Sequence, residues 1–211
     1  MLSFQVSLAI ANAKLYKKAQ QAIADISHAY DATLEGWSRV LDMRDHVTDE
    51  HTHRVADLTV ALAKKMGVPS ADLGHIRRGA LLHDIGKMAI PDSILQKTDA
   101  LTSEDWEIMR THPEKAYSIL SHIEYLIPAM DIPYCHHEKW DGTGYPRGLK
   151  GEEIPLAARL FAVVDVFDAL TSDRPYRKAW TKKKTMQHIR EQSGKYFWSE
   201  AVDAFLEMMV E

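Results

Sequence analysis

The sequence is poor in cysteine: Cys135 is the only one among 211 residues. A single cysteine excludes an internal disulfide and any zinc site built from several cysteines. No apolar run is long enough to cross a bilayer, and the N-terminus lacks the basic start, apolar segment and small-residue cleavage site of a secretory signal. These absences predict a cytoplasmic protein without a membrane span.

The chain also lacks the excess of basic residues that is typical of nucleic-acid-binding proteins. Its 26 lysines and arginines are outnumbered by 30 aspartates and glutamates, which gives a net charge of −4. This balance argues against binding to DNA or RNA, but it allows a small anionic substrate held by a few local cations. The length is sufficient for one well-buried domain with additional segments.

No segment alternates apolar and polar residues as a half-buried strand does. Apolar residues instead recur at steps of three and four nearly throughout, which predicts an all-α fold, a multi-helix bundle. Residues 4–34 form one long helix in this interpretation, and its apolar stripe exceeds what one compact domain covers. The stripe consists of Phe4, Leu8, Ala11, Leu15, Ala19, Ala22, Ile26 and Ala29. A parallel coiled-coil dimer through this helix is therefore a hypothesis.

Several local signals mark the other helices. Thr102 and Asp105 have the spacing of a helix-start capping box, and Thr181 and Ser199 are expected to cap the last two helices. Residues 53–66 and the very apolar residues 156–171 are also predicted to be helical. The segment "GTGYPRGLKGEEIP" at 142–155 is a long loop for a compact domain, and such loops are usually functional or disordered.

The pair His83-Asp84 follows a strongly apolar helix, so both residues should lie at the edge of the core. A buried, unpaired carboxylate is costly, and Asp84 should therefore have a cationic or hydrogen-bonding partner. A metal ion would serve, because histidine and aspartate offer one nitrogen and one oxygen ligand. For an isolated pair of this kind, a hydrogen-bonded histidine at a helix end is the commoner explanation.

The pair is not isolated, because other histidines and carboxylates stand in unusual places. Asp165 lies inside the apolar run "LFAVVDVFDAL", and Asp168 is three residues further on. The neighbours His136 and His137 would point about 100° apart on a helix, so they reach one site only from a helix end. Taken singly, each such residue is more often structural. Together, however, the His83-Asp84 pair, Asp165, the His136-His137 pair and His112 suit two metal ions, and two ions bridged by one carboxylate are a common apparatus for phosphoester hydrolysis.

These segments resemble the HD-GYP family of the HD phosphohydrolase superfamily. The matching segments are "HTHRVADL" at 51–58, "HDIGK" at 83–87, "HP" at 112–113, "HHEKWDGTGYPRGLKGEEIPLAARL" at 136–160 and "DVFDALTSDRPYR" at 165–177. They occur in the family's order, which makes the match far more specific than a lone HD pair. The resemblance implies hydrolysis of cyclic di-GMP to pGpG, and often on to GMP, with iron or manganese as the metal.

The resemblance also implies roles for particular residues. One metal would be held by His51, His83, Asp84 and Asp165, and Asp84 would bridge to a second metal held by His112, His136 and His137. Asp84 and Lys87 would be catalytic, and Lys87, Arg174 and Arg177 would contact substrate phosphate. Gly144, Tyr145 and Pro146 would form a wall beside the metals, with Tyr145 as a substrate contact. Glu138 and Asp141 are expected to orient ligands rather than to bind metal.

Two metals are expected rather than three. In three-metal members of the family a glutamate stands four residues before the histidine that matches His51, and here that position is Val47. Asp49 and Glu50 have poor same-face spacing to His51 on a helix, and His46 is a further possible substitute.

The resemblance divides the chain into two parts. Residues 1–34 look like the last helix of a GAF sensor domain, and residues 35–211 look like the HD-GYP phosphohydrolase domain. It also implies a GGDEF-type signalling protein as a partner. Two other functions stay open: hydrolysis of another cyclic dinucleotide, and ligand-dependent signalling without useful turnover. The complete set of ligands argues against the second.

Overall fold

The fold is described from a computed structural model, which covers residues 2–45, 49–173 and 178–210. Within these ranges every regular element is a helix, and the isolated bridge between Ser193 and Phe197 is the sole β pairing. The predicted all-α fold is therefore confirmed. His46, Val47, Arg174 and Arg177 lie outside the described residues, as do the side chains of Asp49 and Glu50.

The described residues contain ten α-helices and three short 3₁₀ segments. The α-helices are α1 Leu2–Asp45, α2 Asp49–Lys65, α3 Ser70–Leu81, α4 Asp92–Leu95, α5 Ser103–Met109, α6 His112–Leu120, α7 Asp131–Cys135, α8 Leu156–Thr171, α9 Lys182–Glu191 and α10 Ser199–Met208. The 3₁₀ segments are Ile85–Ala89, Glu124–Ala129 and Gly151–Glu153.

The chain divides into two compact units, Met1–Gly36 and Trp37–Glu211. The first unit is the greater part of α1, and its large apolar side chains, such as Leu8 and Leu15, are more than half exposed. Despite its length, α1 is too polar to span a membrane, and the other described helices also lack the combination of length and apolar character. The domain boundary at 34/35 stays a prediction.

The core of the second unit is built around α8. Leu160, Phe161, Val163 and Val164 of this helix are fully buried, and they belong to one cluster with apolar residues of α2, α3, α9 and α10. This explains the continuous apolar run in the sequence, because α8 is surrounded by neighbours on most of its circumference. The same helix carries Asp165 and Asp168, which are thereby placed on a rigid support.

The helix starts agree largely with the sequence signals. Thr102 and Asp105 form the predicted capping box, in which each side chain bonds the other residue's backbone N–H. Thr181 caps α9 by accepting a hydrogen bond from the N–H of Lys184 at 3.3 Å. Ser199 was expected to cap α10, but it is the first helical residue, and Trp198 occupies the cap position with an extended backbone.

Gly86 permits a close approach that shapes the whole site. It lies in the 3₁₀ turn after Asp84, and this turn packs directly on the first turn of α6. A Cβ atom at position 86 would lie 1.8 Å from the carbonyl oxygen of His112 and 2.7 Å from the backbone nitrogen of Ala116. Any side chain there would push the turn and the helix apart, and with them Asp84 and His112.

We expect the substitution Gly86→Ala to separate Asp84 from His112, because the clash is with backbone atoms that cannot rotate away. The variant should lose most of its bound divalent metal and unfold at a lower temperature than the wild type, as measured by elemental analysis and thermal unfolding. Gly36→Ala is the matched control, since a Cβ atom at position 36 meets no atom within 4 Å. Normal metal content in Gly86→Ala would contradict this account.

Candidate metal centre

All seven predicted metal ligands come together in two neighbouring groups. Within each group, one ligand atom from every residue lies within 4.8 Å of the others. The first group contains Asp84, His112, His136 and His137, and the second contains His51, His83 and Asp165. The side chains come from the start of α2, the end of α3, the start of α6, the end of α7 and the middle of α8.

Three of the histidines are held by carbonyl groups of their own helical turns. In each case the Nδ1 atom lies at hydrogen-bond distance from a carbonyl oxygen three or four residues earlier. A carbonyl can only accept, so Nδ1 carries the hydrogen and Nε2 keeps its lone pair in the neutral ring. The pairs are His83 with Ala80 at 2.8 Å, His112 with Met109 at 2.8 Å and His136 with Ile132 at 3.1 Å.

The free lone pairs then face one another. The Nε2 atoms of His112 and His136 are 3.2 Å apart, and they lie 3.3 Å and 3.7 Å from Oδ1 of Asp84. Two neutral rings with hydrogen on Nδ1 cannot hydrogen-bond each other through Nε2, so this arrangement is repulsive by itself. A cation placed among these atoms would accept all three lone pairs. The donors therefore fit a divalent metal that takes nitrogen and oxygen ligands.

Burial keeps part of the set neutral. It lowers the pKa of His112 to about 4, and it also depresses the pKa of His137, with help from His136 and His112. His83 behaves differently: burial opposes its charged form, but the adjacent Asp84 outweighs that effect and raises the pKa to about 9. Burial likewise opposes the charge on Asp84, yet Lys87 and then His83 hold its pKa well below the usual range.

His51 is oriented by a carboxylate that sequence reasoning left out of the site. Its Nδ1 atom hydrogen-bonds Oδ2 of Asp168, and its Nε2 atom faces Oδ1 of Asp165 at 3.9 Å. Asp168 also accepts a hydrogen bond at 2.8 Å from Nε of Arg54. Burial opposes the charge of Asp168, but the bonds from His51 and Arg54 lower its pKa to about 2. A carboxylate behind a histidine is the usual support of a metal ligand. The available signal was the three-residue spacing of the two aspartates.

Lys87 lies beside the first group of ligands. Its ammonium nitrogen is 2.8 Å from Oδ2 of Asp84 and 2.7 Å from Oδ2 of Asp45, the last residue of α1. Burial disfavours the charged ammonium, but Asp84 and Asp45 together raise the pKa of Lys87 above its usual range. Lys87 is therefore a fixed positive charge at the metal centre.

The loop after His137 closes one side of the centre. The ring of Tyr145 packs on the ring of His137 with centroids 4.7 Å apart, and the guanidinium of Arg110 lies 5.7 Å from the Tyr145 centroid. Gly144 allows this contact, because a Cβ atom there would lie 2.4 Å from the backbone nitrogen of Lys139. Tyr145 therefore lies beside a predicted ligand, and its role as a substrate contact stays a prediction.

The sequence predicted that Glu138 and Asp141 orient metal ligands. Their hydrogen bonds in the structure instead go to the loop that follows His137. The buried carboxylate of Glu138 accepts hydrogen bonds from the backbone N–H groups of Arg147 at 2.8 Å and Leu149 at 3.0 Å. Asp141 accepts from the backbone and hydroxyl of Thr143. The expected phosphate contacts of Arg174 and Arg177 lie outside the described residues and stay predictions.

Comparison with known proteins places the chain among enzymes of related sequence. A protein-family model described as an HD domain matches residues 36–200. A cyclic di-GMP phosphodiesterase of Thermotoga maritima is 39% identical over 196 residues, which cover 92% of this chain and 53% of that protein. The cyclic di-GMP phosphodiesterase response regulator RpfG of Xanthomonas campestris is 40% identical over 82% of this chain and 47% of its own length. A 3'3'-cGAMP-specific phosphodiesterase of Vibrio cholerae is 38% identical over 81% of this chain and 33% of its own length.

The chain thus spans about half the length, or less, of these curated relatives. Two solved structures share its fold. An HDG"Y"P protein of Bdellovibrio bacteriovorus superposes with a TM-score of 0.61 at 22% identity, over 76% of this chain and 52% of that one. A cyclic GMP-AMP-specific phosphodiesterase of V. cholerae superposes with a TM-score of 0.65 at 18% identity, over 85% of this chain and 48% of that one.

We expect Asp168→Asn to weaken metal binding, because the amide no longer provides the charged acceptor that orients His51. The affinity for Mn²⁺, measured by isothermal titration, should fall by about tenfold to a hundredfold. Asp203→Asn is the matched control: it makes the same change on the exposed face of α10. Equal affinities in the two variants would show that Asp168 does not support a metal ligand.

Proposed function

We propose that the chain is a metal-dependent phosphodiesterase that hydrolyses cyclic di-GMP to pGpG, with further hydrolysis to GMP left open. The chain belongs to the HD domain family and to its HD-GYP group. The predicted HD-GYP resemblance is confirmed at the level of family. The observation that carries the proposal is the set of histidine Nε2 atoms facing Asp84, which a metal ion would bind together. The T. maritima and X. campestris relatives bear the name of this activity. We expect the protein to act in the cytoplasm.

The geometry supports a bridging role for Asp84. Its Oδ1 atom faces His112 at 3.3 Å in the first ligand group, and its Oδ2 atom faces His83 at 3.1 Å in the second. One carboxylate therefore reaches both groups with different oxygens. We propose two divalent ions, iron or manganese, because Val47 stands where three-metal members have a glutamate. Elemental analysis of anaerobically prepared protein should give about two ions per chain.

Bound divalent cations would supply an activated water and offset the charge that develops on the phosphoryl group. The protein's own groups would bind and orient the substrate around them. Lys87 adds a fixed positive charge beside Asp84, where it would stabilise a phosphoryl oxygen that gains negative charge. Tyr145 would contact the substrate from the side of His137, and Arg174 and Arg177 would bind phosphate with planar guanidinium donors.

A second candidate substrate is 3'3'-cGAMP. The V. cholerae relative that is specific for this compound is 38% identical, almost as similar as the cyclic di-GMP enzymes. The ligand set is common to both chemistries and does not discriminate between them. Incubation of metal-loaded protein with each dinucleotide in turn, with products resolved by chromatography, tests the choice. Binding without any product would favour a signalling module that has lost turnover.

We expect Asp84→Ala and Lys87→Ala to have different effects. Asp84→Ala should remove metal and activity together, while circular dichroism shows that the helices persist. Lys87→Ala should keep its metal but lose rate by roughly a hundredfold or more, as when an electrostatic stabiliser is removed. Lys97→Ala is the control, since Lys97 pairs with Asp105 on the surface. Near-normal turnover with full metal occupancy in Asp84→Ala would refute the mechanism.

We also propose that α1 forms a parallel homodimer in its N-terminal part, and a GGDEF-type signalling protein is a further proposed partner. The apolar stripe supports the dimer, since Leu8 and Leu15 are 52% and 64% exposed and lie two helical turns apart. The double variant Leu8→Glu/Leu15→Glu should sediment as a monomer at concentrations where the wild type is a dimer. Lys17→Glu, on the opposite face of the helix, should remain dimeric. A wild type that is monomeric at all concentrations would disprove the dimer.

A further inference from the structure

We infer that Asp45 is a positioning residue for Lys87, and that through it the end of α1 sets the activity of the centre. The inference rests on the proposed function, in which Lys87 stabilises charge on the substrate. It starts from the contact already described, in which the Lys87 ammonium lies between Oδ2 of Asp45 at 2.7 Å and Oδ2 of Asp84 at 2.8 Å.

The three N–H groups of the ammonium define what Lys87 can do. One is directed at Asp45 and one at Asp84, which leaves the third for a substrate oxygen. Asp84 is also the proposed bridge between the metals, and a carboxylate that shares its charge with two cations attracts a third cation less strongly. In the metal-loaded protein Asp45 would therefore be the principal anchor of the Lys87 side chain.

Asp45 is itself held in place, because its neighbour Arg44 hydrogen-bonds the turn that carries Lys87. The guanidinium of Arg44 donates to the carbonyl oxygens of Met88 at 2.8 Å and Ile90 at 2.9 Å, and its Nε donates to Asp92 at 3.0 Å. A planar fork that makes several bonds at once fixes direction as well as distance. The end of α1 and the turn after Asp84 thus behave as one piece around the lysine.

The pair also differs from an ordinary surface ion pair. The side chains of Lys87 and Asp45 are only 18% and 13% exposed. By contrast, the pair of Arg77 with Asp57 leaves the aspartate 71% exposed. Exposed pairs are screened by water and contribute little, whereas a shielded carboxylate beside a functional lysine holds it in one geometry. Asp57 therefore provides a matched control.

The test is a double-mutant cycle on turnover of cyclic di-GMP and 3'3'-cGAMP, with metal content measured for every variant. Asp45→Ala should lower kcat at least tenfold while metal content stays at the wild-type value. The kcat of Asp45→Asn should lie between those of the wild type and Asp45→Ala, because the amide oxygen still accepts a hydrogen bond from Lys87. In the Lys87→Ala background, Asp45→Ala should cause no further loss, since the residue it positions is already gone. Asp57→Ala should turn over as the wild type does.

Losses that multiply in the double variant would overturn the inference, because Asp45 would then act independently of Lys87. Unchanged kcat in Asp45→Ala would overturn it as well. A second readout does not depend on activity: the ¹⁵N signal of the Lys87 ammonium, which is visible only when exchange with water is slow. It should be present in the wild type and in Asp57→Ala and absent in Asp45→Ala.

The two readouts separate this inference from the proposed function. A wild type that hydrolyses neither dinucleotide would refute the proposed function, and the ammonium signal alone would then decide the role of Asp45. A signal that persists unchanged in Asp45→Ala would show that Asp45 does not hold the lysine, whatever the activity.

Discussion

The structure depends on one arrangement: the Nε2 atoms of two buried histidines are held facing a carboxylate and one another. The Nε2 atoms of His112 and His136 lie 3.2 Å apart, and the contacts of their Nδ1 atoms with backbone carbonyls, together with the surrounding packing, keep them there. The buried α8 cluster and the close contact at Gly86 supply that packing. A fold that maintains this arrangement is preorganised for a cation, because the ligands need not move when the ion arrives.

The sequence was sufficient to predict the fold class and to identify the seven side chains that the structure brings together, for two different reasons. Helical periodicity reports burial directly, and histidine and aspartate in an apolar setting report their own chemistry. Asp168 and Asp45 were missed because their roles come from partners 117 and 42 residues away, His51 and Lys87. The three-residue spacing of Asp165 and Asp168 places both on one helix face, but no local pattern identifies a distant partner, which is fixed only when the helices pack. Ser199 failed as a cap for a smaller reason, because helix ends shift by a residue.

The metal centre and the choice of substrate are separate questions in this protein. Relatives named for cyclic di-GMP and for 3'3'-cGAMP are similarly close, at 39% and 38% identity. Bound metal ions would interact with the phosphates and not with the bases, so we propose that groups around the centre select the substrate. Tyr145, whose ring packs on that of His137 and whose centroid lies 5.7 Å from the guanidinium of Arg110, is a proposed member of these groups.

The pKa values of the buried histidines determine which of them would release a proton when a metal binds. His112 and His137 are already neutral near pH 7, because burial depresses their pKa values, so they can accept a metal without releasing a proton. His83 differs: Asp84 raises its pKa to about 9, and without metal it carries a proton that must leave when a cation binds. The two ligand groups therefore differ in whether these histidines lose a proton when a metal binds. Filling the group that contains His83 would therefore release a proton to solvent.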